Sequence, residues 1–220
     1  MALSKLNYNS LNVTPSANQA IGFDSGADDL ETGAVGGAMK VIKKLTASSS
    51  GTLSFVDGSS DVVLDNTYKE YVFIFKDIHP GTQSKFSFNG SIDSGSNYNV
   101  TKTTTIFVAA HNEGDSDTAL TYRTADDLAQ GTGFQNFLSY GDNATDNDSC
   151  LAGSLHLFNP SSTTFVKHFI ARTNSHDPTD YSIDSYVAGY FNTTSAIDAM
   201  QFKFSSGNID AGTITLYGIS

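Results

Sequence analysis

The sequence has one cysteine, no tryptophan and about half as many basic as acidic residues. A lone Cys150 excludes a disulfide within the chain. Glycosidase clefts typically use tryptophan as a platform for a sugar ring, and this chain has none to offer. The formal net charge is −11, which repels nucleic acid and anionic lipid at long range. We therefore expect neither nucleic acid nor a membrane as a partner.

Long hydrophobic runs are also missing. No stretch approaches the roughly 18 apolar residues of a membrane-spanning helix. The N-terminal residues lack the apolar core of a signal peptide, although a lysine stands at position 5. We expect a protein made in a cytoplasm and not exported by the usual route.

The sequence motifs of common catalytic centres are absent as well. No two of the five histidines have the spacing of zinc ligands, and no Gly-x-Ser-x-Gly turn occurs. Cys150 follows Asp146 and Asp148, and acidic neighbours raise the pKa of a thiol. The sequence thus predicts no catalytic residue, no cofactor and no enzyme activity. The histidines are His79, His111, His156, His168 and His176.

Two acidic clusters contain the oxygen ligands that calcium prefers. Neither cluster has the spacing of an EF-hand loop, and both suit polar turns held by Asx hydrogen bonds. We therefore predict no metal, and keep Asp142, Asp146 and Asp148 as the candidate ligands to check. The second cluster contains Asp57, Asp61 and Asp65.

What the chain does contain, from Met39 onward, is a series of short segments with the alternation of β-strands. Residues 151–158 alternate clearly, with Leu151, Leu155 and Leu157 on one face. Residues 71–78 are apolar at both parities, which favours a central strand. About ten such segments are separated by Gly, Asn, Asp and Ser, the pattern of an all-β sandwich or barrel. They are residues 41–45, 52–56, 71–78, 85–92, 103–110, 151–158, 164–172, 181–190, 200–204 and 213–219.

The predicted fold is an all-β, two-sheet antiparallel sandwich, jelly-roll-like, of about ten strands with an extended N-terminal arm. We assign residues 1–38 to the arm and residues 39–220 to the sandwich. The arm has no regular period and ends in a glycine-rich stretch. It cannot by itself bury enough apolar surface to offset its ordering entropy, so we expect it to dock on a partner. The candidate docking residues are Leu3, Leu6, Leu11, Val13, Ile21 and Phe23.

A long segment between strands, residues 112–149, is unusual for a compact domain. Its apolar residues Phe134, Phe137, Leu138 and Tyr140 either cover one end of the sandwich or form a contact surface. The best helix candidate of the chain, residues 124–128, lies in the same segment and allows a turn or two.

Three tyrosines in settings typical of loops are candidates for stacking on sugars: Tyr98, Tyr122 and Tyr140. The alternative is that they anchor loops onto the sandwich, since a tyrosine with a polar tip suits a half-buried position. The first interpretation makes a host-surface glycan a candidate ligand.

Several stretches resemble small structural proteins of tailed bacteriophages, especially phages of marine bacteria and cyanobacteria. The resemblance extends from about Val41 to the C-terminus and leaves the arm outside it. It carries no catalytic residues to transfer. The stretches are residues 68–80, 90–100, 189–192, 202–209 and 212–219.

The resemblance implies a virion protein that folds in the host cytoplasm and assembles with capsid or tail subunits. We expect a capsid decoration or cement protein, because the chain is short, lacks a coiled-coil repeat and has an arm long enough to reach a neighbour. A tail-fibre or tail-tip protein that binds a host glycan is the alternative. Closed symmetry favours a homo-oligomer in either case, with a trimer as the first expectation.

Overall fold

The structure, a computed structural model, describes residues 19–23, 30–34, 38–139 and 141–220. Within these ranges the chain forms strands, turns and loops, and no residue is in a helix. It follows that none of the described residues belongs to a helix that could cross a membrane.

Fourteen strands succeed one another along the described chain. They are β1 (Gln19–Phe23), β2 (Leu30–Ala34), β3 (Met39–Thr46), β4 (Leu53–Val56), β5 (Glu70–Pro80), β6 (Phe86–Ser91), β7 (Lys102–Asn112), β8 (Thr118–Tyr122), β9 (Gln135–Asn136), β10 (Leu151–Phe158), β11 (Lys167–Asp177), β12 (Tyr181–Phe191), β13 (Ala199–Phe204) and β14 (Ile209–Ile219).

Twelve of these strands, β3 to β14, form two sheets in which every pair is antiparallel. The larger sheet has eight strands in the order β3-β14-β5-β10-β11-β12-β7-β8, and the smaller has four in the order β4-β13-β6-β9. One core cluster takes side chains from both sheets, so the two sheets pack face to face. The predicted all-β antiparallel sandwich is confirmed.

Strict alternation explains why these segments become strands with one buried face. In β11, Phe169 and Ala171 are buried while Ile170 and Arg172 are exposed, and the alternation continues along the whole strand. Because successive side chains of a strand point to opposite faces, such a sequence buries its apolar set only in an extended conformation.

Phenylalanine dominates the core between the sheets. Phe202 of β13 lies 5.1 Å from Phe73 and 5.4 Å from Phe75, measured between ring centroids, and both partners belong to β5 of the other sheet. Phe137, from the segment before β10, packs on Phe75 at 5.0 Å and is fully buried. The long segment therefore contributes to the core, as one of its two interpretations expected.

All ten predicted strands are present, but the structure differs from the prediction in three places. β11 begins at Lys167, so Phe165 lies outside it and is exposed. β8 and β9 lie within the segment that was expected to be a loop. Residues 124–126 form a turn, and residues 124–128 contain no helix. β8 escaped prediction because it is an edge strand with little burial, and so it lacks a clear apolar alternation.

The chain divides into two compact units, Met1–Ala38 and Met39–Ser220. In the first unit β1 and β2 pair antiparallel, with Ile21 opposite Thr32. The sequence has no regular period there, and strands were not expected. The candidate docking residues Leu3, Leu6, Leu11 and Val13 lie outside the described residues, as do the side chains of Ile21 and Phe23.

Candidate functional site

The outer face of the eight-stranded sheet exposes an uncommon number of large apolar side chains. Inward positions of β7, such as Ile106 and Val108, are fully buried, so Phe107 between them points outward. In the register of the sheet, Phe107 lies opposite Tyr122 of β8 on one side and opposite Tyr186 of β12 on the other. Tyr186 in turn lies opposite Arg172 of β11. We call Tyr122, Phe107, Tyr186 and Arg172 the outer aromatic row.

The members of the outer aromatic row stack on one another. The rings of Phe107 and Tyr186 are almost parallel, at 4°, with centroids 4.7 Å apart. The guanidinium of Arg172 lies 5.0 Å from the centroid of the Tyr186 ring and donates a 2.7 Å hydrogen bond to Asp184 Oδ2. That carboxylate raises the pKa of Arg172 above its usual value. Tyr186 is therefore covered on both faces and offers no free ring face to a sugar.

A groove of about 400 Å³ lies beside the outer aromatic row and crosses β7, β12 and β11. Ala188 and Thr105 stand opposite each other there, and the small Ala188 lies between Tyr186 and Tyr190 along β12. Residues 103–105, 168–170 and 188–190 line the groove, and the lining is overwhelmingly apolar. Ile170 stands at the groove with about half of its surface exposed. The groove and the row together are the candidate contact surface of the sandwich.

Of the candidate sugar-stacking tyrosines that the structure describes, Tyr122 belongs to this surface. Tyr122 ends strand β8, not a loop, and donates a 2.7 Å hydrogen bond to Asp127 Oδ2. Tyr98 lies half-buried between β6 and β7, where its carbonyl oxygen accepts a hydrogen bond from Asn89. Tyr140 lies outside the described residues. This contact belongs to the backbone of Tyr98, so the role of its ring stays a prediction.

Asp65, from the second acidic cluster, holds a turn, and the candidate calcium ligands form no metal-binding group among the described residues. Among the described residues, no three His, Cys, Asp or Glu side chains are grouped so that they could bind a metal ion, and Asp142, Asp146 and Asp148 form no such group. Asp65 accepts a 2.7 Å hydrogen bond from the backbone of Thr67, and hydrogen bonds to Thr67 hold the Asp65 pKa below its usual value. Both observations are typical of an Asx turn.

One serine and one histidine do meet in an arrangement that resembles part of a catalytic triad. Ser149 Oγ is 3.1 Å from His176 Nδ1, and His176 Nε2 lies 3.7 Å from Glu113 and 3.9 Å from Asp180. Ser149 is fully buried, so an external ester or amide cannot reach its hydroxyl. The pair joins β11 to the segment before β10 and has a structural role.

Cys150 is half-buried just before β10. Burial raises its thiol pKa, and the charge of Asp77 raises it further. The direction agrees with the sequence-based expectation, but the acid responsible comes from β5 and not from the neighbouring Asp146 or Asp148.

Two fully buried lysines form a second unusual site, which the sequence reasoning missed. Lys102 opens β7 and Lys167 opens β11, and both stand opposite Phe191 of the strand between them. Lys102 Nζ lies 5.8 Å from the centroid of the Phe191 ring. The alternation of β7 could have predicted the burial of Lys102, because this residue lies on the same inward face as Thr104 and Ile106. A charged residue at an inward position is rarely buried without a reason.

Comparison of the chain with protein-family models, with curated proteins and with solved structures finds no match. A case for function therefore has to come from the chemistry and placement of the chain's own residues, together with the resemblance of its sequence motifs.

Proposed function

We propose that this chain is a structural protein of a tailed-bacteriophage virion, a capsid decoration or cement protein. Its N-terminal unit docks on the particle and its sandwich is displayed outward. The observation that carries the proposal is the division of the chain after Ala38 into a small unit and a large sandwich unit. An attached module needs a body that is stable without its anchor, and this division supplies one.

The core of the sandwich supports this role. Among the described residues, the main core cluster extends along the chain from Ala47 to Leu216 and takes side chains from both sheets. Strand β14 lies between β3 and β5 and is paired on both sides within the larger sheet. Such pairing protects the strand from fraying and proteolysis, which suits a body displayed on a particle.

The candidate contact surface also suits assembly with protein. A sugar would bring many hydroxyl groups into the groove, and each would need a hydrogen-bond partner that the apolar lining does not supply. An apolar side chain of a neighbouring virion subunit or of a second copy has no such requirement. Other capsid or tail subunits and copies of the same chain, with a trimer as the first expectation, are thus the proposed partners.

A tail-fibre or tail-tip protein that binds a host glycan remains the second candidate, and Tyr122 favours it. About half of its surface is exposed at the end of the outer aromatic row. A glycan array with the purified protein tests this role. Binding that is lost in Tyr122→Ala and retained in Tyr98→Ala would place the glycan on the outer face and promote the second candidate.

Docking is tested with particles that lack this chain. The full-length protein is expected to co-sediment with them, and a variant that begins at Met39 is expected to stay in the supernatant while remaining folded. The matched control is Phe165→Ala, which changes an exposed side chain outside the candidate contact surface, keeps the N-terminal unit and is expected to co-sediment. Co-sedimentation of the shortened variant would contradict docking through residues 1–38.

The position of the chain on an intact particle separates the two candidates. Electron microscopy of particles labelled on the sandwich is expected to show density over the capsid shell. Density confined to the tail would replace the decoration role by the tail-fibre role.

A further inference from the structure

The buried amine of Lys102 meets a side-chain amide from the opposite sheet. Lys102 belongs to β7 of the eight-stranded sheet, and Asn89 belongs to β6 of the four-stranded sheet. Their side chains cross the interior, where Lys102 Nζ lies 2.8 Å from Asn89 Oδ1. Both residues are fully buried, so water and external reactants are kept away from the pair.

Burial favours the neutral, nucleophilic form of the Lys102 amine. Burial lowers the pKa of Lys102 to about 7, since desolvation disfavours the charged ammonium. Within the described parts of the chain, no carboxylate is in hydrogen-bond or ion-pair contact with Lys102 that would restore the charge. Burial therefore increases the neutral, nucleophilic fraction of the amine, and alkaline conditions increase it further.

The amide is held as an electrophile with a supported leaving group. Asn89 Oδ1 accepts a 2.9 Å hydrogen bond from the backbone N–H of Gly90, which stabilises negative charge that develops on this oxygen. Asn89 Nδ2 lies 2.7, 3.0 and 3.3 Å from the carbonyl oxygens of Tyr98, Thr132 and Gly133. An amide nitrogen has two hydrogens for these three acceptors, whereas departing ammonia has three.

We propose that Lys102 and Asn89 become joined by an intramolecular isopeptide bond that staples the two sheets together. The neutral Nζ attacks Asn89 Cγ, the Cγ–Nδ2 bond breaks, and one Nζ hydrogen moves to the departing nitrogen. The products are a secondary amide between Nζ and Cγ and one molecule of ammonia, and no oxidant or cofactor is consumed. This inference goes beyond the proposed virion role and is testable on the isolated chain.

The proximity of the Lys102 amine to the Asn89 amide favours the reaction. Lys102 Nζ lies 2.8 Å from Asn89 Oδ1, and Cγ is the next atom, bonded directly to that oxygen. Intramolecular reactants that reach a well-oriented geometry have effective concentrations of about 10⁵–10⁸ M. Neither side chain has a carboxylate neighbour in the described ranges to carry the proton, so the bond forms as a slow maturation after folding.

Lys167 provides an internal comparison. It is also fully buried, and burial lowers its pKa as well. Its Nζ donates a 3.1 Å hydrogen bond to the backbone carbonyl of Thr193 and does not face a side-chain amide. The same reaction is therefore not available to Lys167.

Intact mass under denaturing conditions tests the bond after incubation of the folded protein at mildly alkaline pH. The wild-type chain and Lys167→Met are expected to lose about 17 Da, the mass of one ammonia. Lys102→Met is expected to keep its full mass, and it should fold because methionine fills a similar volume without a buried charge. Proteolysis of the wild-type protein should release one branched peptide that contains both Lys102 and Asn89.

Two outcomes would overturn the proposal. A full mass for the wild-type chain throughout the incubation would show that the bond does not form. The same deficit in Lys102→Met would assign the lost ammonia to a succinimide at Asn89–Gly90, because that ring needs no lysine. A peptide map of the wild-type protein that contains only linear peptides would also show that Lys102 and Asn89 are not joined.

Discussion

At the scale of single residues, buried polar groups are the positions where this sandwich departs from a simple apolar core. Tyr71 of β5 is fully buried, and its hydroxyl donates a 3.0 Å hydrogen bond to the carbonyl of Asp65. Desolvation raises the pKa of Tyr71 to about 12, with smaller contributions from Asp65 and Asp57. The phenol thus ties the loop before β5 to the core.

Replacement of Tyr71 by phenylalanine tests this contact. We expect Tyr71→Phe to lower the free energy of unfolding by about 1 kcal/mol at neutral pH, because it removes one hydrogen bond and leaves the ring in place. In the wild-type protein the folded-state pKa is raised, so this contribution is constant below pH 10.0 and is lost as the pH rises towards about 12. Urea unfolding across that range should show the two proteins converging. A constant difference would contradict it.

At the scale of elements, β13 joins the two sheets through Phe202. Its ring contacts phenylalanines of both sheets, including Phe73 and Phe75 of β5 and Phe55 of β4. β13 lies between β4 and β6 in the smaller sheet, so this side chain is at the centre of the interface.

Truncation of this side chain should therefore be costly. We expect Phe202→Ala to reduce the free energy of unfolding by about 3–5 kcal/mol, because the cavity that it leaves cannot close between two sheets. Chemical denaturation measures the change. The control is Phe165→Ala, which removes an exposed ring from a loop and should change stability by less than about 0.5 kcal/mol. Equal effects of the two variants would argue against the central role of Phe202.

β8 is the edge element that the contact surface depends on. Leu120 is 77 % exposed on this edge strand, opposite Ala109 of β7. A long edge with an exposed apolar residue invites pairing with another chain.

A charge at this edge is expected to weaken self-association without unfolding the protein. Leu120→Lys should leave the melting temperature unchanged and shift sedimentation at high protein concentration towards the monomer. Thr118→Lys adds the same charge on the same strand without removing an apolar side chain, and it should have the smaller effect. Identical association of both variants and the wild-type protein would exclude β8 from the interface.

At the scale of the whole molecule, the sandwich unit contains its own core. As the described residues form it, the main cluster takes side chains from both sheets. The second, smaller cluster combines Val108 and Ala110 of β7 with Leu138 and Ile183.

A chain that begins at Met39 should therefore fold alone. We expect a single cooperative thermal transition within a few degrees of that of the full-length protein, followed by near-ultraviolet circular dichroism. A broad transition, or loss of the aromatic signal at room temperature, would show that the first unit is needed for folding and would weaken the docking role.

Local pattern was sufficient to predict the fold class and ten of the strands of this protein. Side chains of a strand alternate between two faces with a period of two. The apolar alternation of residues 151–158 therefore predicts both the extended conformation and the buried face from these residues alone. β8 carries no such pattern, because it is an edge strand with little burial, and the sequence of β1 and β2 has no regular period.

Only the tertiary structure decided which distant residues meet. Parity alone puts Lys102 on an inward face, but nothing local in the sequence places Asn89 of the other sheet against it. The outer aromatic row likewise exists only because β7, β8, β11 and β12 pair in one register. Burial of a strand's face is a property of a few consecutive residues, whereas a site between strands depends on sheet order, which no single segment encodes.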